Sequence, residues 1–160
     1  MTERVQVVLH AVLDAMNFQS DEMTAYVQRS TGRVIVVSDE AMRDAEDGAD
    51  ADFGGEAEEL ADALAILKSP DEYLPLPDRF EIDEYRMMEH FAAGVAADSA
   101  RAQLQDSMHG RGAFRRFKDT AHRLGFLDAW YAYRDRSYEA LAREWCEEQG
   151  LAVDARKADA

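Results

Sequence analysis

Apolar residues return at helical spacing near the start of the chain. Val5, Val8, Leu9, Val12, Leu13 and Met16 lie on one face with polar residues between them, which predicts an amphipathic N-terminal helix. The period then changes. "MTAYVQRSTGRVIVVS" reads as two extended runs around a turn at Ser30, Thr31 and Gly32, the second run, Val34 to Val37, being rich in β-branched residues. A two-stranded ribbon is marginal alone, so it must lie against helices or gain a further strand. "YLPLP", Tyr73 to Pro77, is the candidate, and Pro75 and Pro77, lacking amide hydrogens, confine it to a sheet edge.

Beyond the hairpin the pattern is mostly helical. "GGEAEELADALAILKSP" puts Leu60, Leu64 and Leu67 on one stripe and stops before Pro70. "FEIDEYRMMEHFAAGV" builds an apolar face from Ile82, Tyr85, Met87 or Met88, and Phe91, and "SARAQLQDSMHG" reads as a short helix from a Ser99 cap to Gly110. In "GAFRRFKDTAHRLG", Phe114, Phe117, Ala121 and Leu124 share a side before Gly125. "DAWYAYRDRSYEALAREWCEEQG" runs from an Asp128 cap to Gly150 with Trp130, Tyr133, Leu141 and Trp145 toward the core. The expected class is α+β, a helix-rich single domain over residues 1–150 with an N-terminal helix, one β-hairpin and about four further helices, then a loose tail over 151–160.

Composition changes this picture in one respect, the placement of charge. The 160-residue chain carries a formal net charge of −15. Between Asp39 and Asp98, 19 acids face only Arg43, Lys68, Arg79 and Arg86, while the rest of the chain is balanced. The densest part, "DEAMRDAEDGADADFGGE", predicts a helical turn followed by a mobile acidic loop near 44–56. It is not a calcium loop, because Gly54 and Ala61 stand where a frame beginning at Asp50 needs an acid and a bidentate glutamate. One cysteine, Cys146, excludes an intramolecular disulfide and a cysteine-based zinc site and is expected to be a buried apolar residue beside Trp145. Asp14 breaks the N-terminal apolar pattern, and no window approaches the roughly 20 apolar residues that cross a bilayer, so a cytoplasmic protein without a membrane partner is expected.

Four stretches carry identities that patterning alone would not reproduce: "FQSDEMTAYVQRSTGRVIVVSDE", "LPDRFEIDEYRMMEHF", "GRGAFRRFKDTAHRLGFLDAWYAYRD" and "AREWCEE". Together, and in order from about Asn17 to Gly150, they resemble the bacterial Uncharacterised Protein Family 0158. The run Gly110 to Lys118 with Trp130, Tyr131 and Arg134 is the most specific part. The resemblance implies a small single-domain bacterial protein and carries over no activity and no catalytic or binding residues.

Chemistry therefore has to be sought in the residues, and one stretch stands out. "HGRGAFRRFKDTAHR" gathers Arg111, Arg115, Arg116, Lys118 and Arg123 against the single acid Asp119. Gly110 and Gly112 flank Arg111 ahead of a helix N-terminus, a possible anion cradle, although the Gly-Lys-Ser/Thr ending of a phosphate-binding loop is missing. Asp119 stands four residues from both Arg115 and Arg123 and can offset them. Arg116 and Lys118 have no such local partner. Either they and Arg111 answer the acids Glu81, Asp83, Glu84 and Glu89, or they meet an external phosphate, nucleotide or acidic protein.

Other chemistry is sparse. His10, His90, His109 and His122 show no metal-ligand spacing, and no Gly-x-Ser-x-Gly element supports a serine nucleophile. Trp130, Tyr131, Tyr133 and Tyr138 can stack bases, but their helical spacing points to the core. Neither a catalytic residue nor a metal ligand nor a cofactor is expected. The leading expectation is a non-enzymatic intracellular binding or regulatory protein whose contact surface is the basic loop-helix 110–118, with Arg111, Arg115, Arg116 and Lys118 binding a protein partner or a phosphate-containing ligand. The alternative is an enzyme acting on a phosphorylated small molecule or nucleotide. Broad nucleic-acid binding is disfavoured by the repulsion between −15 charges and a polyanion.

Overall fold

The first apolar residues do not enter the helix predicted for them. In the computed structural model, which describes residues 4–48 and 57–155, strand β1 spans Gln6–Val8 and helix α1 follows over Leu9–Phe18. Burial alternates along β1, with Val7 buried between exposed Gln6 and Val8, as a strand requires. Its partner lies in the segment expected to be loose: β5, Ala152–Asp154, runs parallel to β1 with Gln6 opposite Ala152. Both departures have one cause. Val5, Val7 and Val8 suit a strand as well as a helix, and the deciding hydrogen bonds come from the far end of the chain, beyond the reach of any local pattern.

The hairpin forms as expected, with β2 over Met23–Gln28, β3 over Val34–Ser38, and Val27 opposite Val34 at the turn. The third strand is β4, Tyr73–Pro75, antiparallel to β2 in the order β3-β2-β4, which leaves Pro75 on an edge where its missing N–H costs no ladder bond. Ser38 caps helix α2, Asp39–Glu46, by accepting from the Ala41 N–H at 3.1 Å. Asp44 to Glu46, expected in a loop, are thus helical, and the expected acidic loop from 49 to 56 lies outside the described residues. Helix α3, Ala57–Lys68, packs on α2 and β3. Its buried stripe is Leu60, Ala63 and Ile66, which join Ile35, Val37, Ala41 and Ala45 in one core. Of the residues expected on that stripe, Leu64 is partly buried and Leu67 is exposed, the burial having rotated toward Ala63 and Ile66.

A 3-10 turn at Pro70–Glu72 leads into β4, and after it the predicted helix from Phe80 divides in two: α4, Arg79–Ile82, and α5, Glu84–Ala93. The break is Asp83, the one non-glycine residue of the described chain with positive φ (51°), whose side chain accepts from the Arg86 N–H and so starts the second helix. Then come α6, Asp98–Asp106, α7, Ala113–Leu124, and the long α8, Leu127–Glu148. The class is α+β and helix-rich as expected, with eight α-helices among the described residues against about five expected; the acidic turn and the divided segment account for two of the additions.

Contacts sort the chain into two compact units, Met1–Glu81 with Leu141–Ala160, and Ile82–Ala140. The second holds nine acids and nine bases, so the whole charge of −15 belongs to the first. Cys146, in the first, is fully buried as expected, and burial pushes its thiol pKa up against the opposing pull of Arg143. No helix among the described residues is long and apolar enough to cross a membrane.

One close approach ties the hairpin turn to β1. Gly32 has φ +76°, and a Cβ built on it would meet the Gln6 carbonyl oxygen at 2.0 Å, in backbone that cannot swing aside as a side chain does. Gly48 has φ +86° with nothing within 4 Å of its Cβ position. Gly32→Ala is expected to cost about 2 kcal/mol or more in denaturant unfolding, from strain and clash together, and Gly48→Ala about 1 kcal/mol from strain alone. Equal losses would show that the approach of Gly32 to β1 is not tight.

Candidate functional site

Helix α7 is held by a narrow stripe. Ala113, Phe117 and Ala121, four residues apart, are buried, and Phe117 is fully enclosed against Trp130 (ring centroids 5.1 Å) and Phe91 (6.3 Å). Two small residues and one ring suffice to seat the helix, so most of its circumference faces water. Phe114, expected in the core, is 45% exposed and meets only the edge of Tyr85 at 6.3 Å. The aromatic residues of α8 divide: Trp130 and Tyr138 are buried in the core, Tyr133 stacks on Trp130, and Tyr131 is exposed. The Trp130 indole N–H has no hydrogen-bond acceptor among the described residues, and its ring is packed edge-on with Phe117 and Phe91.

The loop ahead of α7 is shaped by Arg116. Gly110 and Gly112 both take positive φ, 78° and 75°, and between them the chain folds back over the start of the helix. Arg116 reaches this loop from within α7, donating from Nε to the Ser107 carbonyl at 3.2 Å and from its terminal nitrogens to the carbonyls of His109 and Arg111. Ser107 caps the C-terminus of α6, where unpaired carbonyls concentrate partial negative charge, and the guanidinium satisfies this carbonyl together with two loop carbonyls through one planar fork. Gly112 is needed here, since a Cβ would approach Arg116 Nη1 to 3.3 Å. The open counter-charge of Arg116 is therefore main-chain oxygen, a partner that no count of acidic residues could reveal.

Of the two alternatives, pairing of the basic helix with Glu81, Asp83, Glu84 or Glu89 is not found among the described residues. Glu84 binds Arg134 instead, accepting from Nε at 2.6 Å with both side chains about four-fifths buried (21% and 23% exposed), while Asp83 caps α5. Tyr138 closes the group, its hydroxyl lying 3.2 Å from an Arg134 nitrogen and donating to Glu84 Oε2 at 3.3 Å, with the guanidinium 4.2 Å from its ring centre. Burial followed by the Glu84 charge pushes the Tyr138 phenol up to about 12. For Arg134 burial alone would lower the pKa, but the Glu84 hydrogen bond and charge outweigh it and raise it. Arg134 and Tyr138 stand one helical turn apart and are readable as a pair. Glu84, fifty positions upstream, is not.

Of the four candidate cations, Arg116 is thus bound internally, and Arg111, Arg115 and Lys118 form no ion pair among the described residues. Arg111 and Arg115 are exposed and Lys118 is half-buried. Asp119, expected to offset Arg115 and Arg123, bonds to neither. What remains is three cations on α7 and its preceding loop, beside a half-exposed phenyl ring. Among the described residues no group of three or more His, Cys, Asp or Glu is placed to hold a metal ion. In comparison with known proteins, the family model described as Uncharacterised protein family (UPF0158) matches residues 3–158. No curated protein and no solved structure shows significant similarity to the chain.

Two measurements test this geometry. A folded pKa near 12 against about 10 in the unfolded chain means that the neutral Tyr138 phenol contributes its stability in full below pH about 10 and loses it as pH rises through 12. Titrating tyrosinate absorbance across the six tyrosines should show a late step that Tyr138→Phe abolishes; an unchanged curve would contradict the raised value. Arg116→Ala should speed amide exchange across residues 107–112 and lower stability by about 1 kcal/mol, with Arg116→Lys restoring little because an ammonium cannot span three carbonyls.

Proposed function

The chain belongs to Uncharacterised protein family (UPF0158), and from that premise, which brings no chemistry with it, we propose a non-enzymatic, cytoplasmic binding protein whose contact surface is the outward face of α7 and its preceding loop. The observation that carries this reading is the state of three side chains. In a protein with 33 acids and 18 Lys and Arg residues, Arg111, Arg115 and Lys118 pair with no carboxylate among the described residues. Exposed ion pairs give only about 0–1 kcal/mol, so leaving these cations unpaired costs the fold little and keeps them available to a partner.

Phe114 supports the same reading, because an exposed ring among cations matches the aromatic and arginine composition of interface centres. The balanced charge of Ile82–Ala140 supports it too, since the acids responsible for −15 belong to the other unit. The partner chemistry that fits is an acidic protein segment. A phosphate-handling enzyme fits less well: its three clamps would be Arg111, Arg116 and Lys118, and Arg116 is committed to the loop carbonyls.

Fluorescence anisotropy with a labelled oligoglutamate peptide tests the proposal on the full chain. Wild type should bind at low salt, and Arg115→Glu/Lys118→Glu should weaken binding by about tenfold or more, with melting unchanged. Equal binding by both proteins would remove the functional claim of this face.

A further inference from the structure

Phe80 presents a second, independent feature. It is the most exposed large apolar side chain of the described residues, at 94%, on the short helix α4. The ring stands at a cleft of about 500 Å³ in the first unit, lined also by Gln19, Asp21, Met23, Leu76 and Asp78. The walls are tied together. Gln19 donates from Nε2 to the Pro77 carbonyl at 2.7 Å and accepts at Oε1 from the Ala25 N–H at 3.2 Å, so one side chain fixes the spacing of the loop and β2.

The rim is acidic. Asp78 and Glu81 form a reciprocal cap at the start of α4, with the Glu81 N–H to Asp78 Oδ1 at 2.8 Å and the Asp78 N–H to Glu81 Oε1 at 3.4 Å, which orients both carboxylates and leaves each a further oxygen. Asp21 is 94% exposed, and its ion pair to Arg79 at 3.4 Å is solvated on both sides and easily exchanged. Three carboxylates and one guanidinium thus line the cleft together with half-buried Met23, buried Leu76 and an uncovered phenyl ring, in the unit that holds the whole of the −15.

We propose that this cleft docks a cationic segment of a partner protein, one Arg or Lys lying over the Phe80 ring with its charge toward Asp21 and Asp78, and a neighbouring apolar side chain against Met23 and Leu76. Charge complementarity selects this occupant: a cation gains from the ring and from the carboxylates together, whereas a second copy of the chain brings its own −15 and is repelled on approach.

The test uses the isotope-labelled full chain and a peptide of alternating arginine and leucine, with a glutamate-leucine peptide as its counterpart. The cationic peptide should shift the amide resonances of Gln19, Thr24, Arg79 and Phe80, and Phe80→Ser should weaken binding about tenfold with unchanged melting, since the ring is already in water. Phe80→Ser alters no charge, so wild-type affinity in that variant would reduce the binding to general attraction and overturn the proposal. Shifts confined to residues outside the cleft would overturn it equally, as would concentration-dependent self-association that shifts the same four residues without peptide.

Discussion

The pairing of β1 with β5 is the constraint on which the architecture rests. Parallel strands cannot be joined by a tight turn, and here the connection between them is nearly the entire chain, from Leu9 to Leu151. The first unit is therefore discontinuous, built from both ends, and Ile82–Ala140 is an insertion carried between its halves. The same strand pair explains the most demanding glycine among the described residues. Gly32 lies against the backbone of β1, so the hairpin turn and the strand pair must be correct together.

Within the insertion, anchoring and presentation fall to different side chains of one helix. Phe117, with Ala113 and Ala121, holds α7 in an aromatic core, and Arg116 holds the loop before it through backbone oxygens alone. Neither task involves a carboxylate, so the remaining cations are not needed for the fold. The partly buried carboxylate–guanidinium pair of Glu84 with Arg134 is reinforced by Tyr138, whose hydroxyl and ring both engage it. Such a pair costs desolvation that the hydrogen bonds must offset, and it fixes the register of α5 on α8 more than it adds stability.

Local signals were readable wherever the deciding interaction was local. The hairpin, the edge strand at Tyr73–Pro75, the end of α7 at Gly125 and the burial of Trp130 and Cys146 follow from β-branched runs, proline, glycine and helical period. The expectations that failed depended on partners distant in sequence: Val7 needed Val153, Glu84 needed Arg134, and the buried face of α3 is the one that meets Ile35 and Val37 of β3. The basic stretch was visible as composition, but the separation of Arg116 from its neighbours was not, since main-chain carbonyls leave no mark in a sequence. Phe80 is legible in the sequence only as the start of a helix, and nothing in the local pattern marks its exposure.

The state of Cys146 has a chemical consequence. Thiolate, not thiol, is what oxidants and electrophiles attack, and this sulfur is both enclosed and held in its protonated form. Burial thus shields the thiol of Cys146 from peroxide, disulfides and alkylating agents, and unfolding is the event that would make the sulfur available to them.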